Sequence, residues 1–146
     1  MYGPYFFEEN VNGVNYLDML KHFFWPKHRQ LDDAQKYYFQ QDGAPPHRKK
    51  EVQTWLKDKF GKKLLDASIW PPRSPDLNPC DFSLWGTLKK NVYNPKPLNI
   101  QELRENIERQ FKNFKKNDLK SIFSNLKKRL ALVEQEKGKH FEHLLK

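Results

Sequence analysis

Two short stretches place acidic side chains where they could bind a metal ion. In "FQQDGAPPH" (39–47), Asp42 directly follows an apolar run and precedes a glycine and two prolines. In "WPPRSPDLNPCDFS" (70–83), Asp81 follows a stiff proline-rich loop. Carboxylates on a stiff frame favour a hard ion such as Mg²⁺ or Mn²⁺. Such ions suit phosphodiester chemistry, in which they activate the attacking oxygen and stabilise the leaving one.

Each acid also has a simpler explanation. An Asp-Gly pair after a strand is commonly a turn. A carboxylate in the first turn of a helix stabilises the helix dipole by roughly 0.3 to 1 kcal/mol without any catalytic role. Taken one at a time, Asp42 and Asp81 fit these structural roles more often than catalysis. The residues alone therefore leave a metal site as a hypothesis.

The elements that must position these acids alternate between strand and helix up to Ile69. The residue patterns predict strands over 2–9, 37–41 and 62–69. Apolar residues at helical spacing predict one helix from Asn15 to Pro26, and another over 49–60 that Gly61 ends. This alternation indicates a layered α/β fold, and Asp42 then lies at the carboxyl end of a strand, where such folds bind ligands.

The remainder of the chain is predicted to be helical. Asn78 and Pro79 have the residue types of a helix start, and Asp81 falls in the first turn. Asn99 and Glu102 form a capping-box-like pair before a second helix, and a third begins near residue 117. We expect the apolar faces of these helices to be buried in a core. The predicted organisation is an α/β core over 1–95 and a helical extension of the same domain over 96–146.

The charge of the chain is strongly basic. Lys and Arg number 27 against 18 acids, which gives a net charge of +9, and the excess lies in 48–63 and 87–146. A polyanion such as DNA is the natural partner, although lysine-rich helix faces also serve solubility. Five residues that lie in or next to these two stretches are predicted to contact DNA: His47, Arg48, Lys49, Lys50 and Arg73. A helix cap for His47 and a solvated charge run for the others are the alternatives.

Cellular location is indicated by what the sequence lacks. Cys80 is the single cysteine, which excludes an internal disulfide and fits a reducing compartment. No apolar run approaches the 18 residues of a membrane span, and the first residues do not have the pattern of a signal peptide. We therefore expect a cytosolic or nuclear protein without membrane contact.

The two motifs, in this order, resemble the catalytic domain of mariner-like transposases of the DDE/D superfamily. Further resemblance lies in "GPYFFEENVNGVNYLDML", "LKKNVYNPKPLNIQELRENI" and the final "HFEHLL", so it covers nearly the whole chain. The resemblance implies a ribonuclease-H-like fold, a Mg²⁺-dependent triad of Asp, Asp and Asp or Glu, DNA as substrate, and action in the nucleus.

Carried over by motif, Asp42 matches the second metal-binding Asp of this family and Asp81 matches the third acid. Asp76 matches a loop aspartate that we expect to be structural. The 38 residues between the two ligands (43–80) form a longer spacer than in the best-known members. The extra length is predicted to fall within 61–72, in a loop.

The family's first Asp belongs to a strand upstream of the segment that "GPYFFEE" resembles. None of the acids before Asp42 lies in a matching motif: Glu8, Glu9, Asp18, Asp32 and Asp33. We therefore expect an incomplete ribonuclease-H-like fold, with about three strands and a helical C-terminal part. Two carboxylates alone are expected to hold Mg²⁺ or Mn²⁺ weakly, and the strand at 37–41 to expose one edge.

Three functions remain open on the sequence. The leading one is a truncated transposase catalytic domain, whose ancestral activity is DNA cleavage and strand transfer and which is inactive alone. The second is a non-catalytic module that binds DNA or associates with itself or with a full-length transposase. The third is a poorly folded remnant, which would unfold without a cooperative transition.

Overall fold

The computed structural model describes residues 2–66, 68–70, 74–139 and 141–145. The chain divides into two compact units, Tyr2–Arg73 and Ser74–Lys146, which we call the N-terminal and C-terminal units. The N-terminal unit contains both strands and the first three α-helices, and the C-terminal unit is helical. None of the helices in the described residues combines the length and apolar character that crossing a membrane requires.

The first helical run begins at α1 (Gly13–Met19), two residues before the predicted start. Asn12 is the N-cap, because its Oδ1 accepts the backbone N–H groups of Val14 and Asn15 at 2.8 and 3.1 Å. The Asn15 side chain in turn accepts the Asn12 N–H at 2.8 Å. The two asparagines thus form a reciprocal capping box, in which Asn15 replaces the usual Glu or Gln.

The predicted end at Pro26 is wrong, because the helical run continues through α2 (Trp25–His28). A π-helical turn, Leu20–Phe24, ends two residues before the proline, and the Trp25 N–H donates to the Leu20 carbonyl five residues back. Such wider turns are a recurrent way of accommodating a residue that lacks an N–H. The helical run therefore ends at His28, two residues past Pro26.

The sheet within the described residues has two short parallel strands, β1 (Phe39–Gln40) and β2 (Leu64–Leu65). Phe39 pairs with Leu64 and Gln40 with Leu65. Both strands are shorter than predicted. Gly61–Lys63 forms a 3₁₀ turn that uses the beginning of the predicted strand at 62–69.

The prediction of a strand over 2–9 is wrong, since these residues form no regular strand. A strand requires a hydrogen-bonding neighbour, and its aromatic residues pack on helical side chains instead. The Tyr5 ring lies 4.8 Å from that of Phe7 and 5.0 Å from that of Phe23, and Tyr2 lies 5.8 Å from Phe24. The aromatic content of this stretch therefore reflects packing rather than strand pairing.

The helix α3 (Lys50–Phe60) confirms the predicted amphipathic helix. It ends at Gly61, whose φ of 51° is a conformation that favours glycine. Val52 and Leu56 on one face of α3 are fully buried. They form the core of the N-terminal unit with residues from the first helix and β2: Tyr16, Leu20 and Leu64.

The C-terminal unit contains three α-helices, and a 3₁₀ turn and a π-helical turn precede the first of them. Their bounds are a 3₁₀ turn at Pro75–Leu77, a π-helical turn at Cys80–Leu84, α4 (Trp85–Val92), α5 (Ile100–Asn113) and α6 (Lys116–Gln135). The Asn78 side chain accepts the Cys80 N–H at 3.1 Å, as predicted for an N-cap. Asn99 likewise accepts the Glu102 N–H at 2.8 Å.

The helix α5 packs on α4 through both apolar and polar contacts. Leu88 and Val92 of α4 are buried, and the buried Asn106 of α5 donates to the Val92 carbonyl at 3.1 Å. The prediction of uniformly buried apolar faces is wrong at Ile100 and Phe123, which are 74% and 57% exposed. Ile100 is the first residue of α5, and Phe123 projects to solvent from α6.

Substitution of Leu56 by Ala tests the core of the N-terminal unit. We expect it to lower the free energy of unfolding by about 2 to 5 kcal/mol, because it leaves a cavity beneath the sheet. Urea unfolding followed by circular dichroism measures this change. The control is Leu98→Ala, at a side chain that is 90% exposed, where we expect a change within about 0.5 kcal/mol. Equal effects of the two substitutions, or a wild type without a cooperative transition, would contradict the described core.

Candidate active site

Asp42 lies just past the carboxyl end of β1. The Gln41 N–H donates to the Leu65 carbonyl at 3.1 Å, which extends the β1–β2 pairing up to the residue before Asp42. The Asp42 Oδ1 accepts the Ala44 N–H at 3.0 Å and lies 2.7 Å from His47 Nδ1. The carboxylate remains 52% exposed. The predicted turn is therefore present, and it orients a solvent-accessible carboxylate.

His47 is the partner that fixes the Asp42 carboxylate. It lies in a 3₁₀ turn, Pro45–Arg48, and its side chain is 24% exposed. Its backbone carbonyl accepts hydrogen bonds from Gln53 Nε2 at 2.7 Å and from Gln41 Nε2 at 3.4 Å. The N-cap of α3 is Lys49, without a side-chain hydrogen bond, so His47 does not cap that helix.

A buried tyrosine supports this pair from within the core. The Tyr16 ring lies 4.6 Å from the His47 ring, and the Tyr16 hydroxyl donates to Gln41 Oε1 at 3.2 Å. Burial, with a smaller contribution from the charge of Asp42, raises the pKa of Tyr16 far above its usual value of 10.0. Tyr16 therefore stays neutral and acts as a hydrogen-bond donor. Sequence patterns assigned Tyr16 only to the core, so this polar role was missed.

Asp66 is a buried acid that sequence patterns also missed. It follows β2 directly, and its carboxylate accepts hydrogen bonds from the Ser68 hydroxyl and from the Ser68 N–H. Burial by itself would raise the pKa of Asp66, but the bonds from Ser68 and the charge of Lys57 outweigh it and lower the pKa below 3.8. These bonds hold the turn that ends β2, so Asp66 is a structural acid. The only sequence signal was an Asp directly after two leucines.

Asp81 lies in the C-terminal unit, in the π-helical turn Cys80–Leu84, and is exposed. Arg129 of α6 stabilises the loop that leads to it: its Nη1 donates to the Asp76 carbonyl at 3.0 Å, and its guanidinium lies 4.3 Å from the centre of the Phe82 ring. Asp76 thus takes part in loop structure through its backbone. Burial and the nearby charge of Asp81 raise the pKa of the Cys80 thiol.

The predicted site residues are distributed over both units. Asp42 and His47 are in direct contact, and Arg48, Lys49 and Lys50 follow them with exposed side chains. Asp81 belongs to the other unit, and Arg73 lies outside the described residues. Within the described part of the chain, no three His, Cys, Asp or Glu side chains form a ready metal cluster.

The sequence of the chain matches a known family. Residues 3–104 match the model of the DDE superfamily endonuclease family. The chain belongs to this DDE superfamily. It is 30% identical over 135 residues to the transposable element Tc3 transposase of Caenorhabditis elegans, a match that covers 91% of this chain and 39% of that protein.

Other relatives support the same family. The Tcb2 transposase of Caenorhabditis briggsae is 26% identical over 123 residues, which cover 84% of this chain and 43% of that protein. The chain thus spans about two fifths of the length of these curated relatives. The resemblance to mariner-like transposases is therefore confirmed.

Solved structures of the Mos1 transposase catalytic domain share the fold of this DDE-superfamily chain. One, which contains raltegravir and Mg, superposes with a TM-score of 0.74 at 21% identity and covers 92% of this chain and 67% of that domain. A second gives the same TM-score at 19% identity. The predicted ribonuclease-H-like class with helical content is therefore confirmed, with two strands in the described residues rather than three.

The buried carboxylate of Asp66 predicts an acid-dependent loss of stability. Because its pKa is lowered on folding, Asp66 contributes stability that is fully present above its ordinary pKa of 3.8 and is lost as the pH falls below that value. We expect the stability difference between wild type and Asp66→Asn to be constant above about pH 5 and to shrink toward about pH 2. Urea unfolding across this range measures it.

The control is Asp58→Asn, because the Asp58 side chain is 67% exposed and, among the residues that the structure describes, forms an ion pair only with its neighbour Lys59. We expect this exposed substitution to change stability by less than about 1 kcal/mol. A difference between wild type and Asp66→Asn that stays constant down to low pH would show that Asp66 is not held as a carboxylate.

Proposed function

We propose that the chain forms part of a transposase catalytic core that cleaves and joins DNA in the nucleus with Mg²⁺ or Mn²⁺. Asp42 and Asp81 are the proposed carboxylate ligands. The hydrogen bonding and exposure of the Asp42 carboxylate support this proposal most strongly. Within the described residues both of its hydrogen bonds engage Oδ1 and the side chain is 52% exposed, which leaves Oδ2 for an ion.

The donor types fit such an ion. Mg²⁺ and Mn²⁺ prefer oxygen ligands, and Mg²⁺ is commonly bound by one or two carboxylates that leave room for water and phosphate oxygens. When bound, such an ion activates the attacking oxygen and stabilises the leaving oxygen of a phosphodiester. His47 orients the Asp42 carboxylate through Nδ1, and a hydrogen bond of this kind to a metal ligand fixes the direction of the ligand and tunes its basicity.

The basic residues next to Asp42 are proposed to bind the DNA backbone. Arg48, Lys49 and Lys50 directly follow His47 and are exposed, and Arg73 precedes the second acidic motif. Contacts of this kind position the duplex without reading its sequence. They would bring a phosphodiester toward the Asp42 carboxylate.

The chain alone is proposed to have little strand-transfer activity. The family's triad requires a further Asp, and none of the acids at positions 8–33 lies in a matching motif. Two carboxylates hold a reluctantly dehydrated ion weakly. The second candidate function, a module that binds DNA or another transposase chain without catalysis, is favoured by the same exposed basic residues.

Metal titration tests the proposed site. We expect Mn²⁺ to bind the wild-type chain with weak, millimolar-range affinity and Asp42→Asn to weaken binding by about tenfold or more, because a neutral amide replaces an anionic ligand. Electron paramagnetic resonance of free Mn²⁺ measures the affinity. Asp81→Asn should have a similar effect, and Asp58→Asn should have none. Equal Mn²⁺ binding by wild type and Asp42→Asn, with salt-sensitive DNA binding retained, would favour the non-catalytic module.

Substitution of His47 tests its role as the positioning residue. The Asn side chain can place an N–H donor near the position of Nδ1, whereas that of Gln reaches the position of Nε2. We therefore expect His47→Asn to retain Mn²⁺ affinity, while His47→Gln and His47→Ala weaken it by about tenfold, as outer-shell substitutions do. If all three variants weaken Mn²⁺ binding equally, the contact between His47 Nδ1 and Asp42 does not determine the Mn²⁺ affinity.

A further inference from the structure

A second concave site lies in the N-terminal unit, at the end of β1 that is opposite to Asp42. Tyr37 lies two residues before β1 and lines this cleft, whereas Asp42 lies two residues after it. The cleft has a volume of about 500 Å³, within the range of about 300 to 1,000 Å³ that is usual for small-molecule sites. Its lining residues combine aromatic and basic side chains and include no acid.

The aromatic side of the cleft is formed by the half-buried Trp25 and Phe60, the buried His28 and the exposed Tyr37. Phe60 lies 6.0 Å from the Trp25 ring and 5.3 Å from the His28 ring, and His28 is buried. The Tyr37 ring lies 6.2 Å from that of His28 and is 51% exposed. Tyr37 therefore presents an aromatic surface to solvent from a rigid support. Such a surface is what a nucleobase stacks on.

The basic side of the cleft retains two cations for a ligand. Lys59 pairs with Asp58 at 2.8 Å, and Lys63 donates to the Gln35 carbonyl. Arg29 and Lys62, by contrast, are exposed and form no ion pair with any carboxylate in the described residues. Their charges are thus available to an anion in the cleft.

We propose that this cleft binds a nucleotide, with the base stacked on Tyr37 and the phosphate held by Arg29 and Lys62. The pairing of an exposed ring with unpaired cations suits a ligand that is both aromatic and anionic, and a nucleotide unit of a single strand is such a ligand. The site is separate from the proposed metal site, because none of its lining residues belongs to the Asp42 turn.

Binding of a fluorescein-labelled oligo(dT) to the full chain tests the proposal. The measurement is fluorescence anisotropy in the presence of EDTA, so that no metal site contributes. We expect Tyr37→Ala to weaken binding by about tenfold, because base stacking is lost, and Tyr37→Phe to leave it unchanged, because the ring is retained. Lys62→Ala should weaken binding and lower the slope of log affinity against log salt by about 0.7. The matched control is Lys21→Ala, at an exposed lysine outside the cleft.

The source of the nucleotide is decided by competition with dTMP. If dTMP displaces the oligonucleotide and Tyr37→Ala weakens dTMP binding, the cleft is a site for free nucleotides. If dTMP does not compete and Tyr37→Ala weakens binding of the oligonucleotide, the cleft is a site for single-stranded DNA. Both outcomes support the proposal. It is overturned if Tyr37→Ala, shown by circular dichroism to be folded, binds as wild type does. It is also overturned if polyglutamate competes as well as oligo(dT), or if Lys62→Ala and Lys21→Ala behave alike.

Discussion

The pairing of β1 with β2 is the interaction on which the candidate site depends. Only two residue pairs and the additional Gln41–Leu65 bond hold the strands side by side. So short a ladder is not stable by itself, and the fully buried Val52 and Leu56 of α3 pack beneath it. The position of Asp42 is therefore set by an apolar core that lies under the turn rather than by the turn sequence alone.

The electrostatics of the site follow from this core. Tyr16 is buried and neutral, and it binds the Gln41 side chain while its ring contacts His47. His47 contacts Asp42 through Nδ1, at the carboxylate oxygen Oδ1. A carboxylate held through one oxygen is oriented, while the lone pairs of its other oxygen stay available to an ion. Within the described part of the chain, Asp66 is likewise bonded through Oδ1 alone, but its carboxylate is buried within a structural turn, whereas that of Asp42 is 52% exposed.

The sequence predicted those features that depend on local chemistry. The helix 49–60, its stop at Gly61 and the N-cap role of Asn78 follow from residue type and spacing, and all are present. The strand at 2–9 was wrong because aromatic content cannot distinguish strand pairing from packing on a helix. Pro26 failed as a stop signal because a π-helical turn precedes it. The contacts among Asp42, His47 and Tyr16 join residues up to 31 positions apart, and no periodic pattern predicts such contacts.

We propose that the Asp42 carboxylate binds a divalent ion through Oδ2, the oxygen that His47 does not contact. Anomalous diffraction from crystals of the chain soaked in Mn²⁺ tests this most directly. We expect a Mn²⁺ peak about 2.1 Å from Asp42 Oδ2, with the contact between His47 Nδ1 and Asp42 Oδ1 preserved. A peak bound elsewhere, or a Mn²⁺ ion that displaces His47 from Asp42, would contradict it.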